Sequence, residues 1–537
     1  MKSPKYLALT ALIAAASLAT GHAQSSPKVI YITGATAFRA LANTAIDYLA
    51  TNNTQNPPGR RIAFDTNSIT KAYHAVWQLG GANTNTYISA YWVGSEAGIQ
   101  SVTGPSSIGF ATNLVKSTNT QASTTNPFVG LGGVVTHSGT GSGEVWTQVV
   151  TMTNLVTNQI PNTLEFWNPL VIGGLGSVPV ATNSSAPGSV TNATATIGVV
   201  DTYQQSSAFS AGAKVAYYST NGYQSNGVIS TNLTALATNA YQSAQSDTIV
   251  AAGGYGIFTV PGAPVYNITL TQLKKLATNG YINAYEVTSR LADTNAGIYF
   301  TGRNIDSGAR ANVLALIGLG STLKVSGVNN AVKQYAVLNP GQSLPYSDGT
   351  LYRSNSSSST NSLVVPWPAE VIDGKLSGSG NGGYSSGSTL VSALLSTTNI
   401  TNSIPNSINT NLAGTSYLIG YSGAAEVYSG HGQFLSIGGV PFDVETIKSG
   451  AYPLWSFVHV LLAPAADGTA SAVASSLASQ IKSYTTTQLN SGLSPISYGT
   501  IALSDVTNNV TRTANVDEGT IKIQWTNTTP ITSLVGY

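Results

Sequence analysis

Arg303-Asn304-Ile305-Asp306-Ser307-Gly308-Ala309-Arg310 follows a strand-like run, Gly297-Ile298-Tyr299-Phe300, and precedes a helical run from Ala311 to Leu319. An arginine is thus held at a strand end, four residues ahead of a Ser-Gly pair able to start a helix. The N–H groups of a helix's first turn have no intrahelical partner, and the helix dipole adds partial positive charge there. A guanidinium presents paired donors that match an oxyanion. The segment reads as a cradle for a small tetrahedral anion.

Working outward, the pattern is one of strands feeding helices. Val29-Ile30-Tyr31-Ile32 reads as a strand, Thr33-Gly34-Ala35-Thr36 as a turn, and Phe38 to Leu49 as a helix with Phe38, Leu41, Ala45 and Leu49 on one face. Tyr91 to Ile99 repeats the strand-turn-helix form, with Gly94-Ser95 at the turn. The strand Ala195 to Val200 delivers Asp201 at its C-terminal end. Ile249-Val250-Ala251 and Ile257 to Val260 read as two crossover strands between lobes. Helices are expected through Leu270, Leu273 and Leu276, and through Leu390, Leu394 and Leu395 after the turn Gly382-Gly383-Tyr384, which is placed on the cleft. Such alternation predicts α/β sheets, mostly parallel.

The 537 residues are enough for two lobes with separate cores. Ser/Thr/Asn-rich stretches at 117–126, 182–196 and 353–362 read as loops. Residues 1–23 read as a cleavable signal peptide: Lys2 and Lys5, an apolar run from Leu7 to Thr20, then Gly21-His22-Ala23. No later run is long and apolar enough for an integral membrane segment. Because the chain has no cysteine, disulfides, thiolate sites and an N-terminal lipid on cysteine are excluded. The expected location is periplasmic or secreted.

Several function classes fall away. Charged residues are 8% of the chain and the net charge is +2, so no basic stripe exists for nucleic acid. The five histidines, His22, His74, His137, His431 and His459, do not cluster at metal-ligand spacing, and His459 sits in an apolar strand. Ser386 lacks the G-x-S-x-G frame of a nucleophile elbow, and the sparse acids form no pair suited to glycoside hydrolysis. Neither a catalytic set nor a cofactor is expected.

The quoted pieces, taken in order, resemble the phosphate-binding proteins of bacterial phosphate ABC transporters. Gly34-Ala35-Thr36-Ala37-Phe38 and Gly94-Ser95-Glu96-Ala97-Gly98 are similar to that family's first and second turns. Ile197 to Asp201 is similar to its aspartate-bearing strand, and Arg303, Ser307 and Gly308 keep the spacing of its R-x-D-G-S-G-T cradle. Tyr417 to Tyr421 and the run Ile447, Gly450, Tyr452 to Trp455 match two later motifs.

The resemblance implies a two-lobed type II periplasmic-binding-protein fold with a hinge and Ser/Thr/Asn-rich insertions. Lobe 1 would hold residues 27–250, with an insertion at about 101–195, and 430–537; lobe 2 would hold 251–429. It implies phosphate, or another small oxyanion, held by Thr36, Ala37, Phe38, Ser95, Asp201, Arg303, Ser307, Gly308 and Ala309, with an ABC transporter permease as a possible partner. Three departures bear on phosphate selectivity: Ala309 stands where the family has a hydroxyl, Ile305-Asp306 replaces Asp-Gly, and the insertion before Asp201 is long.

On residue chemistry alone, Thr36, Ser95 and Ser307 are equally ordinary helix caps. Asp201 is either a turn residue or an acceptor for a proton on the anion, since a carboxylate only accepts. Asp306 either orients Arg303 or Arg310 or is a solvated loop charge. A surface or matrix protein that keeps this fold without transport is the alternative of a different class.

Overall fold

The computed structural model describes residues 27–51, 59–63, 68–83, 85–104, 107–111, 190–204, 207, 242–304, 306–319, 332–345, 351–368, 380, 382–397, 416–490 and 500–503, and several short strands beyond these. The signal peptide, the stretch at 117–126 and most of the insertion lie outside the described residues.

The elements that position the site are β1 (Lys28–Gly34), α1 (Arg39–Thr51), β2 (Arg60–Ala63), β3 (His74–Gln78), β4 (Thr86–Tyr91), α2 (Ser95–Thr103), β5 (Ile197–Val200) and β6 (Ser246–Thr259). They continue with α3 (Leu270–Asn279), β7 (Tyr281–Asn283), β8 (Gly297–Phe300), α4 (Gly308–Leu316), α5 (Gly387–Leu395), β9 (Tyr417–Gly423), α6 (Ala424–Ser429), β10 (Gln433–Phe434), β11 (Trp455–Leu462) and α7 (Gly468–Asn490).

One sheet runs through them in the order β7-β8-β9-β6-β11-β5-β1-β4-β3-β2, with β10 also on β6. Its parallel pairs are β1 with β4, β1 with β5 and β8 with β9. The remaining pairs, including β6 with β11 and β9, are antiparallel. The architecture is therefore α/β with a mixed sheet, which corrects the expectation of mostly parallel strands. The two long central strands run against each other, although residues 260–454 lie between them in the chain.

The sheet has two halves that share β6. The two runs read as separate crossover strands are one 14-residue strand. Its first part pairs with β11, and Tyr255 to Phe258 pair with β9. Glycines inside a strand normally weaken it. Here they are required, because a Cβ on Gly254 would come within 2.7 Å of the Ile447 side chain and one on Gly256 would overlap the Phe434 ring.

Period-2 alternation sorts side chains to the two faces. In the first half Ile30, Ile32, Val458, Val460 and Leu462 pack with α1 and α7, while Leu461 and Val200 face α2 on the other side. In the second half Ile298, Phe300, Ile419 and Tyr421 pack with α3 and α4, while Tyr299 and Leu418 face α5. Each fully buried Leu, Ile or Phe side chain contributes roughly 1.5–3 kcal/mol.

Past residue 430 the chain stays with the second half of the sheet: β10 pairs with Phe258 and Thr259, and Leu435, Ile437, Ile447, Tyr452 and Leu454 lie in the second half's core. The chain returns along β11. The Ser-rich segment from Arg353 to Ser362 is partly strand, Leu351–Ser354 pairing with Ser343–Pro345. The insertion leaves at Ile108–Ala111 and returns at Val190–Ala193, and these two segments pair antiparallel. Its ends are thus adjacent, so closing it disturbs little of the sheet.

Candidate functional site

Arg303 follows β8 and is 1% exposed. Its Nε donates to the Tyr384 carbonyl at 3.1 Å. Its Nη2 donates to the Ser385 carbonyl at 3.0 Å and to Thr36 Oγ1 at 3.1 Å. Nη1 carries two further N–H donors, and none of the hydrogen bonds of this guanidinium to the described residues uses them. The main chain is fixed as well. Tyr421 Oη accepts from Arg303 N at 3.2 Å, while Arg310 Nη1 and Gln334 Nε2 each donate to Arg303 O at 3.0 Å. Burial pushes the Tyr421 phenol up to about 12, against the opposing charges of Arg310 and Arg303, so it remains a neutral donor to Gln334 Oε1.

The turn Gly382-Gly383-Tyr384 runs beside Arg303. Tyr384 and Arg303 form a parallel bridge, and a Cβ on Gly383 would overlap the Arg303 carbonyl. Only glycine admits so close a backbone approach.

Asp201 ends β5 and is 1% exposed. Its Oδ1 accepts from the Ser95 hydroxyl, and its N–H donates back to Ser95 Oγ at 3.0 Å. Its carbonyl accepts from Asn312 Nδ2 and Ser456 Oγ, each at 2.6 Å. The Tyr255 hydroxyl lies 3.4 Å from that carbonyl, too far to contribute much. Burial raises the Asp201 pKa; the Ser95 and Tyr255 hydroxyls and the Arg303 charge oppose it. Among the described residues Asp201 has no ion-pair partner. The two charges therefore feel each other without touching.

The helix α4 begins at Gly308, at the Ser-Gly pair, with Ser307 as N-cap accepting from Arg310 N at 3.3 Å. Gly308 sits directly against Asp201 and Ser95: a Cβ there would overlap Asp201 Oδ1 and lie 2.7 Å from Ser95 Oγ. Asp306 O accepts from Glu96 N at 3.1 Å, so the Asp306 main chain ties the cradle to α2.

Of the sequence-derived set, Thr36 and Arg303 meet, and Ser95, Asp201 and Gly308 meet. Ala37 is partly buried against the first half's core, its Cβ 3.0 Å from where a Cβ of Gly423 would stand. Phe38 turns into the first half's core, and its N–H is taken by the Ala35 carbonyl at 3.3 Å. Ala309 turns into the second half's core. Its methyl does not line the cleft, so any part it has in a cradle is through its N–H.

Sequence reasoning missed Asn312, Tyr255, Ser456, Gln334 and Glu426. The Glu426 carboxylate accepts from Ser422 Oγ and lies against Gly387, the first residue of α5. Only the register of α4, which puts Asn312 one turn after Gly308, offered a signal for any of them.

No family profile matches the chain, and no curated protein matches it in sequence. Among solved structures it is similar to a putative phosphate ABC transporter substrate-binding protein with bound phosphate from Clostridium perfringens, at 10% identity and TM-score 0.37, over 89% of this chain and 100% of that one. It is also similar to an ABC-type phosphate transport receptor from Vibrio cholerae, at 14% identity and TM-score 0.27, over 57% of this chain and 80% of that one. A third is PstS from Borrelia burgdorferi, at 15% identity and TM-score 0.23, over 48% of this chain and 72% of that one. Scores at this level leave the α/β assignment standing on the strand order itself.

Proposed function

We propose that this chain is an extracytoplasmic solute-binding protein that captures a small inorganic oxyanion, phosphate first, between two lobes. The observation that carries the reading is the Arg303 guanidinium. Three of its donors are held by the protein, which fixes its plane, and Nη1 is left over inside a residue almost wholly buried. A guanidinium edge held in place with its N–H donors unused is fitted best by an anion.

Asp201 supports the choice of anion. A carboxylate near a bound anion repels bare oxygens and accepts from a hydroxyl, so it favours monohydrogen phosphate over fully ionised sulfate. Burial of Arg303, Asp201, Ser95 and Gly308 suits a ligand with no organic tail. Among the described residues no helix is long and apolar enough to cross a membrane. Periplasmic or secreted location, with delivery to an ABC transporter permease, belongs to the same proposal.

Calorimetric titration with phosphate, sulfate and arsenate tests it. Saturable phosphate binding, tighter than sulfate, is expected. Silence toward all three anions would overturn the reading in favour of a surface or matrix protein that keeps the fold without transport.

A further inference from the structure

Ser385 is 8% exposed, and its hydroxyl is sealed without a hydrogen-bond partner among the described residues. A buried hydroxyl left unpaired in a folded protein calls for an explanation. Helix capping does not supply one. The N-cap of α5 is the next residue, Ser386, whose Oγ accepts from Thr389 N at 3.1 Å and pairs with Thr389 Oγ1 at 2.7 Å. The negative charge that a helix start favours is already present there, since the Glu426 carboxylate lies against Gly387. The start of α5 is thus complete without the Ser385 side chain.

Ser385 is nevertheless fixed at the anion site. Its carbonyl accepts from Arg303 Nη2 at 3.0 Å, and the same nitrogen donates to Thr36 Oγ1. Thr202 and Thr301 also carry buried hydroxyls without partners, but neither has its main chain bonded to the guanidinium. Standard bond lengths keep a serine Oγ within about 5 Å of its own carbonyl oxygen. The hydroxyl therefore stands in the immediate surroundings of the Arg303 fork.

We propose that the Ser385 hydroxyl is a ligand contact, donating to one oxygen of the anion whose other oxygens meet Nη1 of Arg303. The proposal rests on the oxyanion reading above. Because Glu426 occupies the start of α5, the anion is met on this side by a side-chain hydroxyl and not by that helix's N–H groups.

The test compares wild type, Ser385→Ala and Ser386→Ala by phosphate titration and by melting without ligand. Ser385→Ala should bind phosphate at least about tenfold more weakly, the loss expected for a hydrogen bond to a charged partner. Its ligand-free Tm should stay level or rise, because an unpaired buried hydroxyl has been removed. Ser386→Ala should instead lower the ligand-free Tm and keep affinity within about twofold. If wild type binds phosphate and Ser385→Ala binds equally well, the proposal fails while the oxyanion reading stands. A fall in ligand-free Tm for Ser385→Ala as large as for Ser386→Ala also overturns it, since the hydroxyl would then have a structural partner. If wild type binds no phosphate, both fail together.

Discussion

On the Asp201 side of the cleft, donors converge on one carbonyl: Asn312 from α4 and Ser456 from β11, with Tyr255 of β6 bonded to both of those side chains. On the Arg303 side, main-chain carbonyls and one threonine take part of the guanidinium, and Nη1 and the Ser385 hydroxyl remain over. Both sides use buried polar residues near helix starts. The first spends its donors internally, leaving only the acceptor Asn312 Oδ1 over among these side chains, and ties α4 to the first half of the sheet. The second leaves donors unspent. A polar cluster whose donors are spent specifies structure, and one with donors left over is open to an anion, which can only accept.

Arg303→Met should show the largest effect. It removes the cationic ligand and also strands the Tyr384 and Ser385 carbonyls. Loss of a buried charge-assisted pair costs about 2–5 kcal/mol, so phosphate affinity should fall by at least about thirtyfold in titration. Ligand-free stability should fall too, because the side chain is a structural bridge between the two sides. A variant that keeps full stability would mean the bridge is weaker than its hydrogen bonds suggest.

Asn312→Leu breaks the other side. Three acceptors lose a shared donor, and the expected loss is about 2–3 kcal/mol in denaturant unfolding. Phosphate affinity, corrected for folded fraction, should move by less than about threefold. A large affinity loss at unchanged stability would erase the distinction between the two sides.

Asp201→Asn sharpens the comparison through pH. Burial raises this carboxyl's pKa in the folded state, so the native protein binds the proton more tightly than the unfolded chain. Stability therefore falls as pH rises from the unfolded value near 3.8 toward the raised folded value. Asp201→Asn should flatten that decline and raise ligand-free Tm at pH 7. It should also narrow the preference for phosphate over sulfate in competition. An unaltered ratio would refute the proton-accepting role.

The smallest effect is expected at Ala309→Thr. The methyl packs in the second half's core, so a hydroxyl there meets apolar neighbours and not the anion. Affinity should stay within about twofold, with stability lower by about 1 kcal/mol. A gain in affinity would place position 309 on the cleft after all.

Local pattern carried the reading a long way. The β1 turn into α1, the start of α2 at Ser95, Asp201 at the end of β5 and Ser307 as the cap of α4 all follow from short-range periodicity and capping chemistry. The mixed pairing of the sheet did not, because antiparallel and parallel strands carry similar apolar runs when both faces are covered. Nor did the return of the chain at β11. The segment 433–455 is short elements and turns, and only the pairing of β10 with β6 assigns it to a half.

The sequence by itself determined which residues stand at strand ends and helix starts, because those positions depend on neighbours three or four residues away. Tertiary structure decided which of them meet: Thr36 with Arg303, Gly308 with Asp201 and Ser95, and Ser385 with the guanidinium. It also decided that Ala309 faces inward, since a helix's period shows which residues share a face and not where that face points. Above all it decided which polar groups are left without a partner. That is a property of every buried donor and acceptor in the neighbourhood taken together, and no stretch of sequence contains them all.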